Sequence, residues 1–158
     1  MDPNKAHYVV ATGIIVRDGK YLITKRSSKE KVFPNKWTVP GGKVEKEDYT
    51  KRPKHTSAHW YNIFEHVVKR EVKEETGLEM KNIKYLTSLS FIRPDGIPTI
   101  IASLFGECDK GEVTLCEDMT DHAWVTIEEA KEYDLIEGIY EELEMLDNHL
   151  KGDEIKEW

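Results

Sequence analysis

Arg70-Glu71-Val72-Lys73-Glu74-Glu75-Thr76-Gly77-Leu78 carries an arrangement that is costly for a helix and that a bound cation would favour. Glu71 stands four residues from Glu75 and three from Glu74, so the three carboxylates lie near one helical face. Like charges at this spacing destabilise a helix by roughly 0.2–0.5 kcal/mol per pair. They also crowd the last turns before Gly77, where the macrodipole is negative and each acid is disfavoured by about 0.3–1 kcal/mol. Arg70 and Lys73 offset part of that cost. A divalent cation held between the carboxylates would reverse its sign, because Mg²⁺ and Mn²⁺ take hard oxygen ligands. From the helix alone, a solvated acidic face with i,i+4 partners stands as the alternative.

The helix around this stretch is expected from about 58 to 76. Thr56 or Ser57 would cap it, Ile63, Phe64, Val67, Val68 and Val72 would form its apolar stripe, and Gly77 would sit at its C-terminal cap. Upstream, Tyr8 to Val16 is apolar and β-branched on both faces, as in a buried strand. Asp18-Gly19 is a hairpin signal, and Lys20 to Arg26 is the return strand. Trp37-Thr38-Val39 is a short run stopped by the turn Pro40-Gly41-Gly42. Downstream, 83–92 and 98–107 read as strands around Pro94-Asp95-Gly96, and 112–116 and 122–127 as shorter strands. Helical spacing returns over 135–150. The pattern predicts one α/β domain over residues 1–150, a mixed sheet between helices, and a loose charged tail over 151–158.

Composition narrows the partners. The 158 residues carry a net charge of −7, but 117–158 holds only 3 basic residues against 15 acidic ones. Arg17 to Lys54 holds the opposite excess, 12 basic against 5 acidic. Local base on an acidic protein favours a small anion and disfavours nucleic acid. The longest apolar stretch is too short to span a bilayer. With two cysteines and no secretory leader in the sequence, a cytoplasmic monomer or homodimer is the expectation.

With the lead-in Trp37-Thr38-Val39-Pro40-Gly41-Gly42-Lys43-Val44-Glu45, the chain resembles the Nudix hydrolase superfamily. The box of that family reads G-x5-E-x7-R-E-U-x-E-E-x-G-U, with U bulky and apolar. Arg70, Glu71, Val72, Glu74, Glu75, Gly77 and Leu78 match its second half. Counted from Gly42, the box asks for Glu at 48 and Arg at 56; the chain has Asp48 and Thr56, and the Arg arrives 14 residues late. The insertion falls around 48–62, where extra loop costs little, and Glu47, Asp48 and Glu65 are the candidates for the first acid of the box.

The resemblance implies an α/β/α sandwich with a mixed β-sheet. It also implies hydrolysis, dependent on Mg²⁺ or Mn²⁺, of a nucleoside diphosphate linked to another group. The leading substrate is a nucleoside triphosphate, normal or oxidised. ADP-ribose or a nucleotide sugar comes second, on the weak signal of Pro94, and a catalytically silent nucleotide-binding module is the rival of another class. By resemblance, Glu71, Glu74, Glu75 and the Gly41 carbonyl hold the metal, and Glu71 also orients or deprotonates water. Arg70 serves as a structural salt bridge. Asp118 is the first choice, ahead of Glu117 and Asp121, for an added base or ligand. Arg26, Gly42 and Glu45 are the expected substrate contacts. Trp37 and Trp124 are read as core, and His55, His59 and His66 as ordinary surface residues.

Overall fold

The computed structural model describes residues Met1 to Trp158. Its centre is the strand β1 (Tyr8–Arg17). The Asp18-Gly19 turn, with φ of 50° and 73°, returns β1 into the antiparallel strand β2 (Lys20–Arg26). Positive φ at both turn residues matches the twist of the flanking strands. β3 (Trp37–Thr38) pairs with β2, and β4 (Gly41–Lys43) pairs antiparallel with β1, Gly41 opposite Thr12 and Gly42 opposite Ala11. A short helix α1 (Glu47–Thr50) and the long helix α2 (Ile63–Thr76) follow. The antiparallel pair β5 (Lys81–Ile92) and β6 (Pro98–Glu107) then joins the sheet, β6 running parallel to β1. β7 (Met119–Val125) pairs with β2, and α3 (Ile127–Ala130) and α4 (Ile139–Leu150) complete the chain.

Seven strands therefore form one mixed sheet, and side-chain alternation sends each strand's residues to opposite faces. Ala11, Ile15 and Leu22 face Val67, Val68 and Val72 of α2, while Ile14, Tyr21 and Ile23 face Ile139, Leu143 and Leu146 of α4. Both apolar layers are needed because β1 has no water-facing side over its middle. Full burial of each valine of α2 contributes up to roughly 1.5–3 kcal/mol. The expected α/β/α sandwich is the observed one.

Four expected elements differ: α4 begins at Ile139 rather than near Leu135, β7 runs from Met119 to Val125 rather than over 122–127, and two further differences have a visible cause. α2 begins at Ile63 rather than near Ala58, behind Asn62 at φ 58°, and without a side-chain cap. Thr56 does accept from backbone N–H groups, but from Ala58 and His59 at 3.3 and 2.9 Å, which closes a loop turn instead of a helix. Residues 112–116 are not a strand. Their N–H groups turn to the end of α2: Thr114 donates to the Thr76 carbonyl at 2.9 Å and Cys116 to the Glu75 carbonyl at 3.2 Å. Carbonyls that a helix end leaves unpaired are a competing acceptor for an extended segment. Gly77, at φ 74°, donates to the Lys73 carbonyl at 2.9 Å and ends α2 as expected. No helix is long and apolar enough to cross a membrane.

Candidate active site

α2 carries its acids past the Gly41-Gly42 strand edge at two positions. The Gly41 N–H donates to Glu75 Oε2 at 3.3 Å. A Cβ added to Gly42 would overlap the Glu71 carboxylate, so only glycine lets that carboxylate lie flat on the backbone. Both acids are held above their ordinary range. Burial pushes the Glu75 carboxyl up to about 8, helped by repulsion from Glu71 and Asp118 against the pull of the Gly41 N–H and Arg26. Burial also raises Glu71, opposed by Arg70. Two desolvated carboxyls beside a glycine backbone provide hard oxygen donors whose ionised form a bound cation would favour.

Arg70 organises the flank. Its Nε meets Asp48 Oδ1 at 2.6 Å, and its Nη1 meets Glu71 at 2.8 Å and Glu74 at 3.2 Å. Asp48, its side chain 4% exposed, also accepts from the Glu45 N–H at 2.7 Å. Of the three candidates for the first acid of the box, Asp48 is the one that meets Arg70. The extra residues thus loop out between the two halves of an ion pair, through α1 and the turn at His55 to Asn62. In that loop the Trp60 indole N–H donates to the Arg52 carbonyl at 2.9 Å and its ring lies 5.3 Å from Tyr49. His59 Nδ1 is 3.0 Å from Thr56 Oγ1, and His55 Nδ1 accepts from the Tyr61 N–H at 3.2 Å, so both rings serve the loop.

The other expected site residues divide. Glu74 is turned to Arg70, 58% exposed, and does not join Glu71 and Glu75. No three acidic, His or Cys side chains converge on one point in this side-chain arrangement. Glu45 is exposed and lies outside the neighbouring cavity, where only its backbone is used. Arg26 lines the cavity but spends Nε on the Val32 carbonyl at 3.0 Å and Nη2 on Glu30 at 3.2 Å. Asp118 and Glu117 line the cavity, whereas Asp121 is held on β7, accepting from the His122 N–H at 2.7 Å. Trp37 and Trp124 pack against the two apolar layers, as expected. Pro94 sits in the turn that Gly96 closes by donating to the Arg93 carbonyl at 2.8 Å, outside the cavity.

The cavity, about 1250 Å³, opens on the α4 side of the sheet. Arg26, Lys43 and Arg93 supply cationic lining, Phe33 and Phe91 an aromatic wall with ring centroids 6.4 Å apart. Thr12, Thr99 and Glu142 are polar lining residues absent from the sequence reading. Glu142 had a signal: it falls three residues after Ile139 and four before Leu146, on the apolar stripe of α4, where an acid is out of place. Thr12, opposite Gly41 in the sheet, and Lys43, next to Gly42, line the cavity and join it to the backbone that the two carboxyls meet.

The NUDIX domain family model matches residues 7–146. A nucleoside triphosphatase NudI from Enterobacter sp. (strain 638) is 32% identical over 135 residues, covering 79% of this chain and 86% of that protein. Among solved structures, a MutT NUDIX hydrolase from Burkholderia pseudomallei superposes with a TM-score of 0.69 at 24% identity, over 89% of this chain and 98% of that one. The NUDIX domain of Shewanella oneidensis NrtR, solved with ADP ribose, gives 0.71 at 17% identity, over 95% and 94%. These two structural likenesses establish the fold alone.

Proposed function

This chain belongs to the NUDIX domain family, and on that premise we propose that it is a pyrophosphohydrolase dependent on Mg²⁺ or Mn²⁺, converting a nucleoside triphosphate, normal or oxidised, to the monophosphate and pyrophosphate. The observation that carries the reading is the buried pair Glu71 and Glu75 against Gly41-Gly42, whose neighbours Thr12 and Lys43 line a cavity with cationic and aromatic groups. The NudI relative supports the triphosphate over other diphosphate compounds.

Glu71, Glu75 and the Gly41 carbonyl would hold the cation, and Glu74 would join them on leaving Arg70. When bound, the cation neutralises phosphate oxygens and acidifies water. Arg26, Lys43 and Arg93 attract the phosphates from the cavity side, and Asp118 takes the proton of the attacking water on its carboxylate. Water oxygen bonds to phosphorus as the bond to the bridging oxygen breaks, and the electron pair leaves with pyrophosphate. Arg70 holds Glu71 and Asp48 in place and touches no substrate.

A binder without turnover has no need of two carboxylates kept in an unfavourable, desolvated place. The two free cysteines fit a reducing compartment, and we assign the protein to the cytoplasm as a monomer or homodimer acting on small nucleotides. Pyrophosphate release from a panel of nucleoside triphosphates, ADP-ribose and nucleotide sugars tests the reading, wild type against Glu75→Gln. Turnover of a triphosphate that the substitution abolishes is expected. Binding without turnover of any compound would replace the enzyme with a sensor module.

A further inference from the structure

Glu142 has no place in the hydrolytic step, yet it is one of the least comfortable residues in the protein. It is 3% exposed, on the inner face of α4, and no cation pairs with it. Burial raises its carboxyl above the ordinary range, with the nearby Ser103 hydroxyl pulling the other way and Glu141 adding to the rise. The sheet opposite is equally unsettled. The hydroxyls of Thr12 and Thr99 are buried without a hydrogen-bond partner. Thr12 and Ser103 stand side by side in the parallel β1–β6 register, and Thr99 projects from the same face of β6 four residues before Ser103.

Each unpaired buried hydroxyl costs on the order of 1–3 kcal/mol, so two beside a buried acid that no cation meets mark a place that something polar completes. Thr12, Thr99 and Glu142 line the cavity, while Ser103 is fully buried and outside its lining. Around this polar patch the walls are Phe33, Phe91, Leu89 and Ile101. Aromatic and aliphatic walls around a few hydrogen-bonding groups accept a flat ring with a polar edge. The phosphate-attracting cations and the Glu71–Glu75 pair belong to the other end of the same ligand.

We propose that Glu142, with Thr12 and Thr99, binds the hydrogen-bonding edge of the substrate's nucleobase, Ser103 holding the Glu142 carboxyl in place. The proposal rests on the nucleotide reading above. A carboxyl presents two oxygens side by side, both acceptors when ionised and one O–H donor beside one acceptor when protonated, which matches the paired groups of a base edge. A leucine there offers neither, and a glutamine offers both.

Equilibrium binding by calorimetry, in EDTA so that no turnover occurs, separates base from phosphate. The probes are the four nucleoside monophosphates and ribose 5-phosphate, which keeps sugar and phosphate but has no base. Wild type is expected to bind at least one nucleotide more tightly than ribose 5-phosphate. Glu142→Leu is expected to weaken that nucleotide about tenfold, the loss of a buried hydrogen-bonded pair, and to leave ribose 5-phosphate unchanged. Glu142→Gln is expected to keep the preference. Thr12→Val, which removes an unpaired hydroxyl at constant shape, is expected to reduce the preference without lowering the melting temperature. Equal binding of nucleotide and ribose 5-phosphate by wild type, a parallel loss of both in Glu142→Leu, no loss in either, or a Gln variant as weak as the Leu variant would overturn the assignment. Base-selective binding without pyrophosphate release from any triphosphate would overturn the hydrolase reading and leave this one standing.

Discussion

Replacing Glu75 by Gln should make the metal-free protein more stable while removing its activity. In the fold the Glu75 carboxyl is pushed from 4.5 to about 8, first by burial and then by Glu71. A carboxyl raised in the folded state binds its proton more tightly there than in the unfolded chain, so stability falls as pH rises between those two values. At pH 7 the unfolded chain has released that proton and the folded one largely has not, a penalty of about 3 kcal/mol. Gln keeps an acceptor for the Gly41 N–H and has nothing to ionise. For a chain of this size the relief corresponds to a rise in Tm of roughly 6–12 °C in EDTA at pH 7. The assay is thermal unfolding of both proteins from pH 5 to pH 8, with EDTA and then with excess magnesium. Wild type should lose stability across that range in EDTA and regain it with the cation by mass action. The variant should be flatter with pH and gain less. A Gln variant that melts at or below wild type in EDTA at pH 7 would refute the reasoning, because Glu75 would then be a structural anchor.

Gly42→Ala should leave the fold intact, since the overlap is with the movable end of Glu71, but should displace that carboxylate and cut activity with little change in Tm. Full activity in this variant would show that Glu71 has room to spare. Asp118→Asn should lower kcat strongly and Asp121→Asn hardly at all, because only the former lines the cavity; equal effects in a steady-state assay would remove Asp118 from its role. Asp48→Ala breaks a pair whose acid is almost fully buried and should cost about 3 kcal/mol in urea unfolding, whereas a loss below about 1 kcal/mol would place it with surface pairs.

Much of the fold was legible because local chemistry and tertiary structure agree. Asp18-Gly19 suits the hairpin it makes, the apolar run of β1 suits a strand covered on both faces, and Gly77 suits the left-handed end of α2. Misreadings arose where a local signal had two outlets. Thr56 has the side chain of a helix cap and uses it on a loop turn, and residues 112–116 look extended yet bond helix carbonyls instead of a neighbouring strand. In the candidate site, the closeness of Glu71 and Glu75 was legible from spacing, because an acid pair near a helix C-terminus is conspicuous in sequence. The state of Glu74 was not, since its choice between Arg70 and its fellow acids is a matter of side-chain rotation. Asp48 could be fixed only in three dimensions, because the loop that separates it from Arg70 hides the ion pair from any fixed spacing. Thr12, Thr99 and Glu142 lie far apart along the chain and meet only across two strands and a helix.

Crystals soaked in a manganese salt, with anomalous scattering recorded near the manganese edge, test the carboxylate pair directly. A peak bounded by Glu71, Glu75 and the Gly41 carbonyl, absent from crystals of Glu75→Gln, is the expected result. No peak there at saturating manganese, with a nucleotide bound in the adjoining cavity, would contradict the account.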